Sequence, residues 1–303
     1  MARAPKYSAD TKALLRKTEE THMMPAYLEA HLQEIKHDKE NFKWTQRLKP
    51  SGMSFDMCLE EFQDNCDKYS EFALKQRMKF LVGSAVHKSL AELFARHPDV
   101  LYPKPAFPER IQKWADKAWP EIPLDSIDYR SKMVADLVPS IKGAPVVIDW
   151  KTTWQSASEW KAFCAKPLVP TYNITQVCSY VFHMNRENYY PVKINSFGLV
   201  FINLMVSPDE RLAWKEVWFD YQPFAVPIEQ LWDLALEALE ATIKGVRIPC
   251  KNPGCPKHGK GEIVLKADPW HPITPPGIQE WEDVIAAVTA RNEALDRAGD
   301  TAI

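Results

Sequence analysis

No stretch of this sequence approaches the roughly 18 uninterrupted apolar residues of a membrane-spanning helix. The nearest run, FGLVFINLMV, is broken at Asn203 and has the length of a strand. The opening residues, MARAPKYSADTKALLRK, lack the apolar stretch of about 7–15 residues that a secretory signal needs. No membrane contact is therefore expected, and a cytoplasmic location is. Cysteine is sparse, six residues in 303, and in a reducing compartment these read as thiols or metal ligands rather than a disulfide framework. Charge of one sign is not in excess: 38 Lys and Arg against 40 Asp and Glu leave a formal charge of −2. That excludes a nucleic-acid binder relying on a basic bulk, so any such contact must come from a local patch. Internal repeats and low-complexity tracts are also missing. What is present is ordinary globular composition, 46% hydrophobic and 26% charged, in a chain long enough to bury a core as one large domain or two modest ones.

Residues 1–50 are rich in Lys, Glu and His, and suggest an N-terminal helical arm. From Met53 to Phe94 apolar residues recur at three- and four-residue steps (Phe72, Leu74, Met78, Leu81, Val82, Ala85, Leu90, Leu93), which predicts two consecutive helices or one bent helix. Proline-broken connections, YPKPAFPER and WPEIPLD, lead into SKMVADLV and APVVIDWKTT, which read as paired strands. A helix over Thr171–Met184, strands in KINSFGLVFINLMV and WKEVWFDYQPF, and a helix over PIEQLWDLALEALEATIKG closing at Gly245 complete an α, β, β, α, β, β order. A Pro, Cys and His segment follows from Ile248 to about Pro276, then a short helix around Ile278–Arg297. The domain reading is an arm at 1–50, a core at 51–245 and a C-terminal Cys/His segment with its helix at 246–303.

In IDWKTT, Asp149 and Lys151 are two residues apart, so a strand points both side chains to one face. If Lys142-Gly143 is the two-residue turn of a hairpin, paired residue numbers sum to 285 and Asp136 falls opposite Asp149, with Cβ atoms ~4.5–5.5 Å apart. Facing carboxylates repel unless a cation lies between them. Mg²⁺ or Mn²⁺ is the economical partner: it takes one or two protein carboxylates and leaves places for water and a phosphate. Lys151 beside it could orient or deprotonate an attacking water and stabilise a pentavalent phosphate. The bland alternative is a set of structural salt bridges from Asp136 and Asp149 to Arg130, Lys132 or Lys151.

Four elements in order, GSAVH (Gly83–His87), Asp136, IDWK (Ile148–Lys151) and QVCSY (Gln176–Tyr180), resemble the PD-(D/E)XK nucleases, most of all the RecB-like branch of recombination, CRISPR-adaptation and phage exonucleases. The resemblance covers roughly Ser51 to Tyr221. It implies an α/β, restriction-endonuclease-like fold: a mixed central β-sheet flanked by α-helices. It also implies that Asp136, Asp149 and the Trp150 main-chain carbonyl bind the metal, with His87 ligating or approaching it. Lys151 takes the catalytic lysine role, and Gln176 and Tyr180, four apart on one helix face, support the lysine and contact substrate. The strand acid is Asp149 where many members carry Glu.

A second candidate site is CKNPGCPKH, with Cys250, Cys255 and His258. Thiolates and imidazole in a Pro- and Gly-rich turn suit Zn²⁺, which wants four such ligands. The fourth is Cys58, Cys66 or His271. Some RecB-like nucleases close an iron–sulfur cluster with one early and three late cysteines; here the late group lacks a third cysteine, which favours zinc. Cys164 and Cys178 are expected in the core. Trp150, Trp154 and Trp160, with Lys161 and Lys166 nearby, could stack bases of a frayed strand while lysines hold phosphates, although at least half of these rings are expected in the core. The sequence thus points to a Mg²⁺- or Mn²⁺-dependent deoxyribonuclease, an exonuclease on DNA ends in recombination, repair or phage DNA processing, working with a recombination or single-strand-binding protein. Hydrolysis would proceed through metal-bound water. The rival reading is a catalytically silent DNA-binding or assembly subunit with a structural Cys/His metal site.

Overall fold

The structure is a computed structural model; it describes residues 36–37, 39–68, 74–165, 169–205 and 214–258, with no side chains described at 74–78. The chain divides into two compact units, one of Met1–Thr45 with Asp67–Ala73 and one of Gln46–Cys66 with Leu74–Ile303. In the first, residues 36–37 and 39–40 are helical and Asn41 Nδ2 donates to the His37 carbonyl at 2.8 Å. Most of the arm expected at 1–50, together with His271, Lys166 and the helix expected at Ile278–Arg297, lies outside the described residues.

The second unit is mixed α/β. Its elements are helix α1 (Leu59–Asn65), helix α2 (Leu74–Ala95), helix α3 (Gln112–Ala118), strands β1 (Ile122–Ser126), β2 (Ser131–Ala135), β3 (Ser140–Ile141), β4 (Ala144–Pro145) and β5 (Val147–Thr153), helices α4 (Ala157–Ala165) and α5 (Thr171–Arg186), strands β6 (Ser196–Asn203) and β7 (Trp214–Asp220), and helix α6 (Ala225–Ile243). The main sheet is three-stranded in the order β5-β6-β7, parallel between β5 and β6 and antiparallel between β6 and β7. The parallel pair requires a crossover, supplied by α4 and α5. Among the described residues no helix is long and apolar enough to cross a membrane.

The strand alternation sorts the sheet into two faces. Ile148, Val200 and Trp218 join Val100, Leu101, Leu137, Ile141 and Val146 in one apolar cluster, against which Phe94, Trp119, Trp150 and Ile202 are packed. Phe197 and Phe219, stacked at 5.1 Å on the opposite face, lie in a second buried layer with Phe224. Helix α5 is buried along Ile174, Val177, Val181 and Met184, and Trp232 of α6 donates its indole N–H to Ser179 Oγ at 3.0 Å. Helix α6 ends where expected: the N–H groups of Gly245 and Val246 bond back to the carbonyls of Thr242 and Ala241, the reciprocal pair that satisfies a helix C-terminus.

The strand pairing differs from expectation in one respect. Ser131–Ala135 does not pair along β5; it pairs antiparallel with β1, a strand hidden in WPEIPLD by its proline. The chain then reaches β5 through the short β3–β4 hairpin, whose turn residues Lys142 (φ 51) and Gly143 (φ 76) are both left-handed, as a two-residue hairpin turn requires. Its pairs, Ser140 with Pro145 and Ile141 with Ala144, and the bridge of Leu137 with Ile148, all keep the 285 sum.

The stripe expected on α2 is also corrected: Leu81 and Leu93 are exposed, as is Ala85. Apolar residues occur on every side of this helix, so periodicity could not choose its buried face. The face that meets the sheet carries Gly83, where an added Cβ would lie 2.9 Å from Thr152 Oγ1 of β5. Gly83→Ala should therefore destabilise the protein by about 1–3 kcal/mol, measured by urea unfolding, and Thr152→Ala should recover most of that loss in the double variant.

Candidate active site

Asp136 stands beyond the end of β2, and β5 is an edge strand of the three-stranded sheet. A main-chain N–H on an open edge needs a partner. Trp150 N–H finds it in the Asp136 carboxylate, donating to Oδ2 at 2.7 Å. The other carboxylate oxygen, Oδ1, faces His87 Nδ1 at 3.4 Å from α2. Burial works against a charged His87 ring, but the Asp136 carboxylate outweighs it and holds the imidazole above its ordinary value.

Asp149 is 1% exposed. Its Oδ2 has no well-aligned hydrogen bond, and its close partner is the Lys151 ammonium at 2.6 Å. The ammonium also donates to Gln176 Oε1 at 2.8 Å, and Gln176 Nε2 donates to the Tyr180 hydroxyl at 2.5 Å. Gln176 and Tyr180 are successive on one face of α5, so the helix delivers both to β5. Tyr180 is buried and its phenol is held far above the usual range, chiefly by burial and then by the charge of Asp149. It stays neutral and fixes the amide that fixes the lysine. Burial, offset in part by Lys151 and reinforced by Asp136, raises the Asp149 carboxyl to about 6.

The sequence-predicted residues thus fall into two linked sets that meet on β5, His87 with Asp136 at the Trp150 N–H, and Asp149 with Lys151, Gln176 and Tyr180; among the described residues His87, Asp136 and Asp149 do not bring their ligand atoms within 4.8 Å of one another. The Trp150 main chain enters through its N–H to Asp136. Of the tryptophans, Trp160 is buried, Trp150 is half-buried against Phe94 at 6.0 Å, and Trp154 is 38% exposed. Asp149 with its Lys151 ammonium and Asp136 with its His87 imidazole are carboxylates of the hard-oxygen kind a divalent cation takes, and the ammonium is a cationic group of the kind an anionic substrate meets.

The second site draws together residues from both ends of the described core. Cys58, Cys250, Cys255 and His258 hold their ligand atoms within 4.8 Å of one another, a group that could hold a metal ion. His258 Nδ1 lies 3.5 Å from Cys58 Sγ and 3.6 Å from Cys255 Sγ, and Leu59 N–H donates to Cys250 Sγ at 3.3 Å. Burial pushes the Cys250 thiol up. At Cys255 burial also raises the thiol, but the N–H groups of Lys257 and His258 and the His258 ring bring it down to about 7. Of the early candidates it is Cys58 that joins; Cys66, at the end of α1, points its sulfur to the Gln63 carbonyl at 3.8 Å. Cys178 is buried as expected, while Cys164 is only half-buried.

Sequence reasoning missed Glu60, whose carboxylate accepts from Cys250 N–H at 3.2 Å and lies 3.7 Å from His258 Nε2. It also missed Asn252, whose side chain donates to the carbonyls of Phe55 and Met57 at 3.0 and 2.7 Å. The place of Glu60 two residues after Cys58 was the available signal for the first. The sequence matches no protein-family model, and no curated protein is significantly similar to it.

The raised Asp149 carboxyl has a consequence for the metal-free protein. A folded-state value above the unfolded one favours the protonated form, so the associated stability is complete below about pH 4 and lost as pH rises through about 6. Without added Mg²⁺ or Mn²⁺, Asp149→Asn should therefore be more stable than the wild type at pH 8, by on the order of 1–3 kcal/mol. The difference should shrink towards pH 4. Calorimetry across that range checks both the sign and the pH window.

Proposed function

We propose that this chain is a metal-dependent DNA nuclease of the PD-(D/E)XK superfamily, with a restriction-endonuclease-like core, acting as an exonuclease on DNA ends. The observation that carries the reading is the linked set in which Asp149 is buried against Lys151 while Gln176 and Tyr180 hold that lysine from α5. A structural salt bridge would not need a half-buried amide on its cation with a buried phenol holding that amide, and buried ion pairs are weak stabilisers.

The donor set fits Mg²⁺ or Mn²⁺: Asp136 and Asp149 are hard oxygen ligands, and Asp149 Oδ2 is a buried oxygen without a well-aligned hydrogen bond. When bound, such an ion supplies an activated water and neutralises phosphate charge. The chain's own residues do the rest. Asp136, pinned by the Trp150 N–H, holds its carboxylate at the edge of β5. Lys151, restrained by Gln176, keeps one ammonium group beside the acids, where it can orient the attacking water and stabilise the negative charge that develops on the phosphate. His87 approaches from α2 and pairs with Asp136.

The same reading assigns zinc to the Cys58, Cys250, Cys255 and His258 group. Three thiolates and an imidazole match its soft, four-coordinate preference, for which ligand atoms sit about 3.5–4 Å apart. Its role is structural, tying the start of α1 to the segment after α6.

With linear and circular DNA in Mn²⁺, the wild type should degrade linear DNA selectively. Asp149→Ala and Lys151→Ala should lower the rate at least 100-fold while still folding. DNA loss equal in all three proteins would point to another site, and binding without cleavage would favour the silent subunit. For the second site, one zinc per chain is expected by elemental analysis. Cys250→Ser or chelation should remove it and destabilise the fold by about 3 kcal/mol or more. Cys66→Ser should change neither, and a visible iron–sulfur absorption band would overturn the zinc assignment.

A further inference from the structure

Three consecutive residues hold the Cys and His cluster from one side. Cys58 brings its own sulfur, Leu59 N–H donates to Cys250 Sγ at 3.3 Å, and Glu60 turns one carboxylate oxygen towards two of the other ligand residues. That oxygen, Oε1, accepts from Cys250 N–H at 3.2 Å and stands 3.7 Å from His258 Nε2. The other ring nitrogen, Nδ1, faces the sulfurs of Cys58 and Cys255 at 3.5 and 3.6 Å. The imidazole therefore presents one nitrogen to the thiols and the other to a carboxylate. The remaining acids of α1, Glu61 and Asp64, pair with Lys257 and Arg247 instead.

A neutral imidazole has one N–H and one lone pair, and its two tautomers exchange them between the nitrogens. A metal takes the lone pair, so the proton has to sit on the far nitrogen. An ionised carboxylate only accepts; beside Nε2 it selects the tautomer that keeps the proton there and frees Nδ1 for the thiol side. With 37% of its side chain exposed, His258 is not held by enclosure, and a directed contact decides how the ring stands. We infer that Glu60 is a positioning residue of the metal site, fixing the tautomer and orientation of His258 so that Nδ1 completes a four-ligand set with Cys58, Cys250 and Cys255. Glu60 acts through the ring and is not itself a ligand. The inference rests on the zinc reading of these four residues and is independent of the nuclease reading.

The full-length protein, loaded with zinc, is titrated with a chromophoric chelator at one fixed pH, and the chelator concentration that withdraws half of the zinc is compared between variants. Glu60→Ala should release zinc about ten- to a hundredfold more readily than the wild type. Glu60→Gln, whose amide oxygen still accepts from an N–H, should recover most of that loss. Glu61→Ala, which removes the neighbouring charge, should hold zinc as the wild type does. The deciding arm is a His258→Cys background, which keeps four ligands but has no ring to orient: there Glu60→Ala should change zinc release little. An equal loss in both backgrounds would assign Glu60 to the Cys250 main chain and overturn the inference, as would a Glu60→Ala variant that holds zinc like the wild type. A wild type that takes up no zinc would overturn the metal reading and this inference with it.

Discussion

A carboxylate enclosed in the protein with a single ammonium at 2.6 Å is the constraint around which this fold is arranged. Removing an ionised acid from water costs several kcal/mol, and one cation in the same low-dielectric setting repays that incompletely. The residual shows as the raised Asp149 carboxyl. The surroundings follow from it. Lys151 must be held so that its charge stays on the acid, hence the Gln176 amide; the amide must be held in turn, hence the buried Tyr180 hydroxyl. Each link is fixed by the next, and the last is set in the apolar body of α5.

Backbone geometry makes the arrangement available at little further cost. An edge strand has unpaired N–H groups, and Asp136 uses one of them, so the second acid is positioned by a bond that the sheet needs in any case. The left-handed pair Lys142 and Gly143 sets the return of the chain, and the Leu137–Ile148 bridge carries its register up to the residues next to both acids. Gly83 lets α2 approach β5 closely enough for His87 to reach Asp136.

What was legible in the sequence is what local rules determine. The period of two placed Asp149 with Lys151, the Lys-Gly turn gave the register of the chain around Asp136, and the spacing of four paired Gln176 with Tyr180. What was not legible depends on tertiary choice. Strand β1 was concealed by Pro123, which is tolerated because β1 has a single strand partner, β2. The buried face of α2 was misjudged because its apolar residues surround the helix, and a glycine, with no side chain to weigh, marks the contact. Cys58 and Cys66 were indistinguishable by spacing. They flank the seven residues of α1, and what separates them is that Cys58, at the helix start, meets the segment after α6.

That meeting gives the cluster that could hold a metal ion a place in the packing. The surface between α1 and residues 246–258 is built from polar contacts: Gln63 Nε2 donates to the Val246 carbonyl at 3.2 Å, Gln63 Oε1 accepts from Ile248 N–H at 3.1 Å, and Arg247 and Lys257 pair with Asp64 and Glu61. Exposed ion pairs of this kind contribute little, and buried amides chiefly avoid a penalty rather than add stability. Leu59 is the apolar anchor on the α1 side, and Cys255 is among the few buried apolar residues on the other. A polar seam joining residues 191 positions apart would open readily by itself. The Cys58, Cys250, Cys255 and His258 ligand atoms converge across it, and a metal ion held by them would supply the cross-link that hydrophobic burial does not.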